Sequence, residues 1–268
     1  MDKGCLSVRG LTLGKGRPKI CVPVVERTAA AIREAARRVR ASEAQLLEWR
    51  ADYWDEGEPE QAAGLLREIR REIGGLPLLF TYRTRAEGGV STREENPERY
   101  LRLNQAALAS GAADIIDVEL GMGESMLRTL CGQAHAAGAY VLASSHDFAG
   151  TPPEQEMEAR FRRMEEWGAD ILKLAVMPKS AEDLLSLLRV CLTAHRQASR
   201  PVVAISMGEI GLESRVCGEA FGSAMTFGCL DQASAPGQLA AGELARLLDA
   251  LHAAHGKTSP FQAENERK

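Results

Sequence analysis

YVLASSHDFAG (residues 140–150) begins as a strand with both faces apolar and stops abruptly at Ser-Ser-His-Asp. Strands buried on both faces belong to parallel sheets covered by helices. A second run of this kind, DILKLAV (residues 170–176), sets Lys173 among Leu172, Leu174 and Val176. Outward from these two, similar runs recur along the chain: KICVPV from Lys19, QLLEWR from Gln45, PLLFTYR from Pro77, DIIDVEL from Asp114, PVVAIS from Pro201 and MTFGCL from Met225, eight in all. Between them lie helical patterns such as RTAAAIREAARRVR, PERYLRLNQAALASG, SMLRTLCGQAHAAG and SAEDLLSLLRVCLTAH. Ser180, with Asp183 three residues on, opens one helix, and Gly111 and Gly138 close others. A last helix, PGQLAAGELARLLDALHAAHG, follows the eighth strand. Eight strand–helix units predict an α/β fold of the (β/α)8 barrel type rather than an open doubly wound sheet of six or seven strands. A dinucleotide sheet would need G-x-G-x-x-G after its first strand, where this chain has VERTAA.

The barrel is expected to occupy residues 1–256 as a single domain. Within it, CLSVRGLTLGKG reads as two short strands around Arg9-Gly10. This hairpin, within residues 1–16, is expected to close the bottom of the barrel. Residues 257–268 are polar and are expected to form a loose tail.

Composition limits the function classes. The chain has 268 residues, 45% of them apolar and 26% charged, with a net charge of -4, so no nucleic-acid partner is expected. Basic runs such as REAARRVR and REIRRE alternate with acids at helical spacing and read as solvated helix faces. No apolar run approaches the roughly 18 residues that span a bilayer, so no membrane partner is expected. The six cysteines, at 5, 21, 131, 191, 217 and 229, contain no CxxC pair, and MDKGCLSVRG has no apolar leader. The expectation is a cytoplasmic protein with reduced thiols, Cys21 and Cys229 being core residues.

Catalytic groups of such barrels sit at the carboxyl ends of strands, and alternation decides which residues face inward. Glu48, Arg50 and Asp52 share a face, as do Thr81 and Arg83, with Glu87 in the following loop. Asp117 pairs in phase with Glu119, Ser144 with His146, and Lys173 with Ala175. Five strands thus send ionisable groups to one mouth. A lone strand-end histidine or arginine is more often structural. Lysine in mid-strand is different, because it is almost never fully buried without a partner or a purpose; a structural pair with Glu119 is the bland reading. A neutral, desolvated lysine attacks carbonyls, and the resulting iminium acidifies the neighbouring C–H for a nearby base. His146 is the only strand-end histidine, and Glu87 or Asp147 would fix its tautomer. His135, His195, His252 and His255 fall in helices and are expected to be exposed. Arg50, Arg83 and Arg215 favour an anionic substrate. MGEIGLESRV, after strand seven, carries Arg215 near a helix start, suited to a carboxylate. LDQASAPGQL, after strand eight, offers Ser234 and Gln238 to hydroxyls or a carboxylate. The expected substrate is a polyhydroxylated keto acid.

In EWRADY, FTYRTRAEGG, SSHDF, ILKLAV, SMG and ASAPGQ, in this order between PKICVPV and SAPGQL, the chain resembles the type I 3-dehydroquinate dehydratases. The resemblance implies a TIM barrel that works as a homodimer, with no metal or organic cofactor. It implies a hydro-lyase of the shikimate pathway that converts 3-dehydroquinate to 3-dehydroshikimate and water by an imine-dependent syn elimination. By the same resemblance, Lys173 forms the Schiff base, His146 moves the proton and Glu87 orients His146. Glu48, Arg50 and Arg83 are then contacts to hydroxyls and ring, and Arg215, Ser234 and Gln238 are carboxylate and lid contacts. Two positions depart from the family pattern. Pro23 stands where some members carry a substrate-touching serine, and Ser145 stands where an aromatic is common, which is expected to loosen the packing behind His146. The rival readings are a class I aldolase-type barrel, a metal-dependent barrel isomerase or hydrolase using Glu48, Asp52, Asp117, Glu119 and His146 as ligands, and a barrel that only binds. The first lacks a phosphate loop. In the second, arginines interleave the carboxylates. Intact Lys173 and His146 weigh against the third.

Overall fold

Each apolar run becomes a strand. The computed structural model describes residues 3–54 and 57–258, with side chains as far as residue 255. The strands are β1 (Leu6–Val8), β2 (Leu11–Leu13), β3 (Lys19–Val24), β4 (Leu46–Arg50), β5 (Leu78–Thr81), β6 (Ile115–Glu119), β7 (Tyr140–Asp147), β8 (Ile171–Val176), β9 (Val202–Ser206) and β10 (Met225–Phe227). The helices are α1 (Ala29–Arg40), α2 (Pro59–Ile73), α3 (Pro97–Ala109), α4 (Glu124–Ala136), α5 (Glu154–Glu166), α6 (Ala181–Gln197), α7 (Gly218–Phe221) and α8 (Ala241–Thr258). Strands β3 to β10 form one parallel sheet in the order β10-β3-β4-β5-β6-β7-β8-β9. The seam between β9 and β10 is thin: a parallel bridge joins Val202 to Ser223, and Ala224 N donates to Val202 O at 2.7 Å. The barrel is therefore closed at its bottom and loosest where its shortest strand lies. No helix among the described residues is long and apolar enough to cross a membrane.

Alternation sorts the barrel interior into layers. Cys21, Leu46, Leu79, Ile115, Leu142, Ile171, Val203 and Met225 belong to one buried apolar cluster inside the strands. Leu6, Val8 and Leu13 of the hairpin join that cluster and cover it from below. The hairpin turns at Arg9 (φ 49°) and Gly10 (φ 81°), with Val8 opposite Leu11. Positive φ at both central residues is the two-residue turn whose twist matches its strands. One pleat higher, at i+2 on the same strands, five inward residues turn polar, Glu48, Thr81, Asp117, Ser144 and Lys173, beside apolar Ile205 and Phe227, all buried. The outward residues, including Trp49, Phe80, Val118, Leu172 and Leu174, pack with the helices in a second and larger cluster. An apolar floor beneath polar side chains leaves the polar layer only one exit, the mouth at the carboxyl ends.

A polar side chain ahead of every second strand ties the preceding strand down. Gln45 Oε1 accepts from Ile20 N (3.3 Å), Asp114 Oδ2 from Leu78 N (2.8 Å), Asp170 Oδ2 from Val141 N (2.9 Å) and Ser223 Oγ from Ala204 N (3.2 Å). Asp114 also pairs with Arg70 (2.5 Å) and with Arg9 of the hairpin turn (2.6 Å). Charge chemistry at the closed end thus holds the barrel bottom together. Pro23 is tolerated in a central strand because its neighbour has ended. Ile20 O accepts from Gln45 N on the β4 side and Cys21 O from Gly228 N on the β10 side. By alternation Pro23 faces β10, whose last ladder residue, Phe227, pairs with Cys21.

Some details differ from the sequence expectation. The seventh unit has no full-length helix; a 3-10 turn (Leu212–Arg215) and the four-residue α7 stand in its place. Ser214 Oγ accepts from Ser206 N (2.9 Å) and donates to Gly211 O (2.7 Å), folding the segment back onto the end of β9. His195 is half-buried rather than exposed, lying against Gly222. His135, His252 and His255 are exposed. α8 continues through Thr258, two residues into the segment read as tail, and the rest of that segment lies outside the described residues.

Candidate active site

The polar layer opens into a cavity of about 510 Å³, part of it open to bulk water. Glu48, Arg50, Arg83, Glu87, His146, Lys173, Arg215, Ser234 and Gln238 all line it.

Lys173 sits on β8, two residues above the apolar floor, and is only 6% exposed. Among the described residues no hydrogen bond or ion pair reaches its amine, and Nζ stands 4.2 Å from the ring centroid of Phe227. Burial lowers the amine's pKa below its ordinary value; Glu48 opposes this and Arg83 adds to it. Glu119, considered above as its partner, is engaged elsewhere. Its Oε1 accepts from Arg83 Nη1 (3.0 Å) and Thr84 N (2.8 Å), and its Oε2 from Thr84 Oγ1 (2.6 Å).

His146 is near the end of β7. Its Nδ1 lies 2.9 Å from Glu87 Oε2, and its backbone N–H donates to the same oxygen at 3.0 Å. Of the two candidates for orienting the ring, Glu87 is the one within hydrogen-bond reach of it. Asp147 instead accepts from Ala149 N and Gly150 N. Burial holds His146 well below the usual imidazole pKa, with Arg83, Lys173 and Arg50 adding positive charge. Burial pushes Glu87 up to about 8; Arg83 opposes this, and Glu119 and Asp117 reinforce it. The imidazole is therefore neutral near pH 7, and no hydrogen bond among the described residues engages its second nitrogen.

Glu87 is placed by backbone geometry. Gly88 (φ +87°) follows it, and a Cβ there would lie 2.4 Å from the ring of Phe148. Phe148, Ile205, Met207 and Phe227 also line the cavity and were not singled out from the sequence. Alternation along PVVAISM and MTF would have found the last three. Phe148 lies in a loop, where no periodicity applies.

The three arginines divide into two kinds. Arg50 Nε and Nη2 donate to Asp52 Oδ1 and Oδ2 at 2.7 and 2.8 Å. Arg83 donates from Nη2 to Asp117 (2.8 Å) and from Nη1 to Glu119 and to Ser144 Oγ (2.8 Å). Arg215 has no carboxylate partner among the described residues. It is 1% exposed, and its hydrogen bonds go to Phe227 O (3.4 Å) and Pro236 O (2.7 Å). Its Nε has no partner, and burial lowers its pKa to about 10. A buried guanidinium without an anion costs several kcal/mol unless a ligand supplies one. Arg215 Nη2 also ties down the loop after β10. There Gly208 N donates to Pro236 O (3.2 Å), Ser234 N to Gln238 Oε1 (2.8 Å) and Gln238 Nε2 to Ser234 Oγ (2.9 Å).

These groups do not form a cation site. The oxygens of Asp52, Asp117 and Glu119 are occupied by guanidinium, hydroxyl and backbone donors, and no cluster among the described residues is arranged to hold a metal ion. A parallel barrel whose one cavity faces an imidazole–carboxylate pair and, among the described residues, an amine without a hydrogen bond and a guanidinium without a carboxylate is a (β/α)8-barrel enzyme. The family model for type I 3-dehydroquinase matches residues 20–255. A 3-dehydroquinate dehydratase of Bacillus licheniformis is 44% identical over 252 residues, covering 93% of this chain and 98% of the relative. One from Klebsiella pneumoniae is 44% identical over 248 residues, covering 92% and 98%. The solved type I 3-dehydroquinate dehydratase of Clostridium difficile superimposes with a TM-score of 0.90 at 38% identity, covering 94% of this chain and 99% of that one. The chain belongs to the type I 3-dehydroquinase family, whose members are hydro-lyases.

Proposed function

We propose that this enzyme removes water from 3-dehydroquinate to give 3-dehydroshikimate through an imine on Lys173. The observation that carries the reading is the Lys173 amine, buried, without a hydrogen bond among the described residues and facing the cavity beside the His146–Glu87 pair. The neutral amine adds to the substrate ketone, and loss of water gives the iminium. His146 takes the proton from the adjacent carbon, leaving an enamine. It then returns that proton to the departing hydroxyl, and hydrolysis of the product imine frees Lys173. One imidazole that both takes and returns the proton works from one face of the ring, which makes the elimination syn. Arg215 holds the carboxylate. Ser234 and Gln238 exchange their mutual hydrogen bonds for the substrate and close the loop over it, excluding water from the imine. Glu48, Arg50 and Arg83 contact hydroxyls and ring; Asp52 leaves Arg50 Nη1 available for this.

The test is to mix the protein with 3-dehydroquinate and borohydride, weigh it intact and map the modified peptide. The expected result is a reduced adduct on Lys173, with enone absorbance rising in untreated enzyme. An active enzyme that yields no adduct, and that dies in chelator, would overturn the imine.

The same reading places the enzyme in the shikimate pathway, in the cytoplasm and as a homodimer. Family resemblance supports the homodimer, and six cysteines free of disulfides support the cytoplasm. Static light scattering is expected to return twice the chain mass, and a monomer mass would remove the dimer from the reading.

A further inference from the structure

β7 outruns its neighbour. It has eight residues, whereas β6 ends at Glu119 opposite Ser144. Ser145, His146 and Asp147 therefore pair only with β8, opposite Leu174, Ala175 and Val176. On the side β6 has vacated, Glu87 Oε2 takes the His146 N–H in place of a strand carbonyl. His146 points into the barrel, so Ser145 and Asp147 point away from it, toward α5. Arg160 of α5 meets both: Nη1 donates to Ser145 Oγ at 3.2 Å, and Nη2 lies 3.5 Å from Asp147 Oδ2. Nη2 is itself anchored to Glu156 Oε1 at 2.5 Å, one helical turn back. The guanidinium side chain is 16% exposed, so these contacts are partly shielded from water. Instead of loosened packing behind His146, the small hydroxyl at position 145 admits a planar, five-donor group that spans the residues on either side of the histidine.

We propose that Arg160 is a positioning residue for His146. It clamps the outer face of the β7 overhang while Glu87 holds the inner edge, so the imidazole keeps its aim at the substrate carbon. Arg160 touches neither substrate nor cavity; it acts through Ser145 and Asp147. This inference rests on the proposed role of His146 as the base.

The test uses the full-length enzyme with Arg160→Met, which keeps the aliphatic stem and removes the fork, and Arg160→Lys, which can reach one of the two acceptors. Four readouts are taken: kcat, KM, the borohydride-trapped adduct on Lys173, and the isotope effect with substrate deuterated at the carbon that loses its proton. Arg160→Met is expected to lower kcat about tenfold, within the range that an error of an ångström or less in a catalytic group produces. KM should stay within about twofold and the amount of adduct trapped at saturating substrate at the wild-type level, since the Lys173 amine and the carboxylate contact are untouched. The isotope effect should rise as proton transfer becomes limiting. Arg160→Lys should recover part of the lost kcat. If Arg160→Met does not fold, Arg160→Gln replaces it. Unchanged kcat and isotope effect in a folded variant would sink the inference alone. So would a loss of adduct in proportion to kcat, which marks general damage. A wild-type enzyme that turns over without forming an adduct would sink the imine reading and this inference with it.

Discussion

Lys173→Ala is expected to abolish dehydration, lowering kcat by about 10⁵- to 10⁶-fold, as removal of a covalent nucleophile does, while the barrel stays folded. The amine has no hydrogen-bond partner to lose among the described residues, so its removal leaves no carboxylate stranded. Glu48 keeps its bond from Thr81 Oγ1 at 2.7 Å. What is lost is packing against Phe227 and the nearby apolar floor, and this is offset by relief of the amine's desolvation. Circular dichroism and thermal melting should show a fold at least near wild type. Lys173→Met, which fills the space, should be equally inactive and no less stable. The pH profile of the wild type carries the same signature. The amine attacks only when neutral, so kcat/KM should rise with pH through the Lys173 pKa and fall below it. Burial moves that limb below the ordinary lysine value of 10.5. Turnover of Lys173→Met above about one-thousandth of wild type would show that the chemistry does not pass through this nitrogen.

Alternation made the site legible before the structure. Glu48, Arg50, Arg83, His146 and Lys173 could be assigned to the barrel mouth because a period of two fixes which face a strand residue takes. Lys173 stood out further because an apolar run offers an amine no solvation. Partnership was not legible, because it depends on register between strands far apart in sequence. Nothing local says that Arg83 is claimed by Asp117 and Glu119, 34 and 36 residues on. Three similar arginines in sequence become two that are paired with carboxylates and one, Arg215, that has none among the described residues. The short seventh helix was illegible for a related reason. SMGEIGLESRVCGEAFG has turn residues at both ends, but its conformation is set by Ser214 reaching back to Ser206, a side-chain choice that periodicity does not encode. The bottom of the barrel repeats the point. Gln45, Asp114 and Asp170 look like ordinary strand-edge polar residues until the neighbouring strand's N–H is placed against each of them.

His146→Ala should separate imine formation from proton transfer. A positioned acid–base residue contributes about 10²- to 10⁴-fold, and His146 is asked both to remove the proton and to deliver it, so a loss near the upper end is expected in kcat. Lys173 keeps its desolvated setting in this variant, so the imine still forms, more slowly, and then waits. Borohydride should therefore trap an adduct that retains the departing hydroxyl. Wild-type enzyme should also yield the adduct one water lighter, and intact mass distinguishes the two. The pH dependence sharpens the assignment. Burial and the charges of Arg83, Lys173 and Arg50 keep His146 neutral well below pH 6.5, so the base is already in its active form across the neutral range. Removing it costs a proton acceptor and leaves the titration of Lys173 in place, so the acid limb of kcat/KM should persist in the variant. If the variant instead accumulated the dehydrated adduct at the wild-type rate, another group would be moving the proton, and the place of His146 beside Lys173 would be structural.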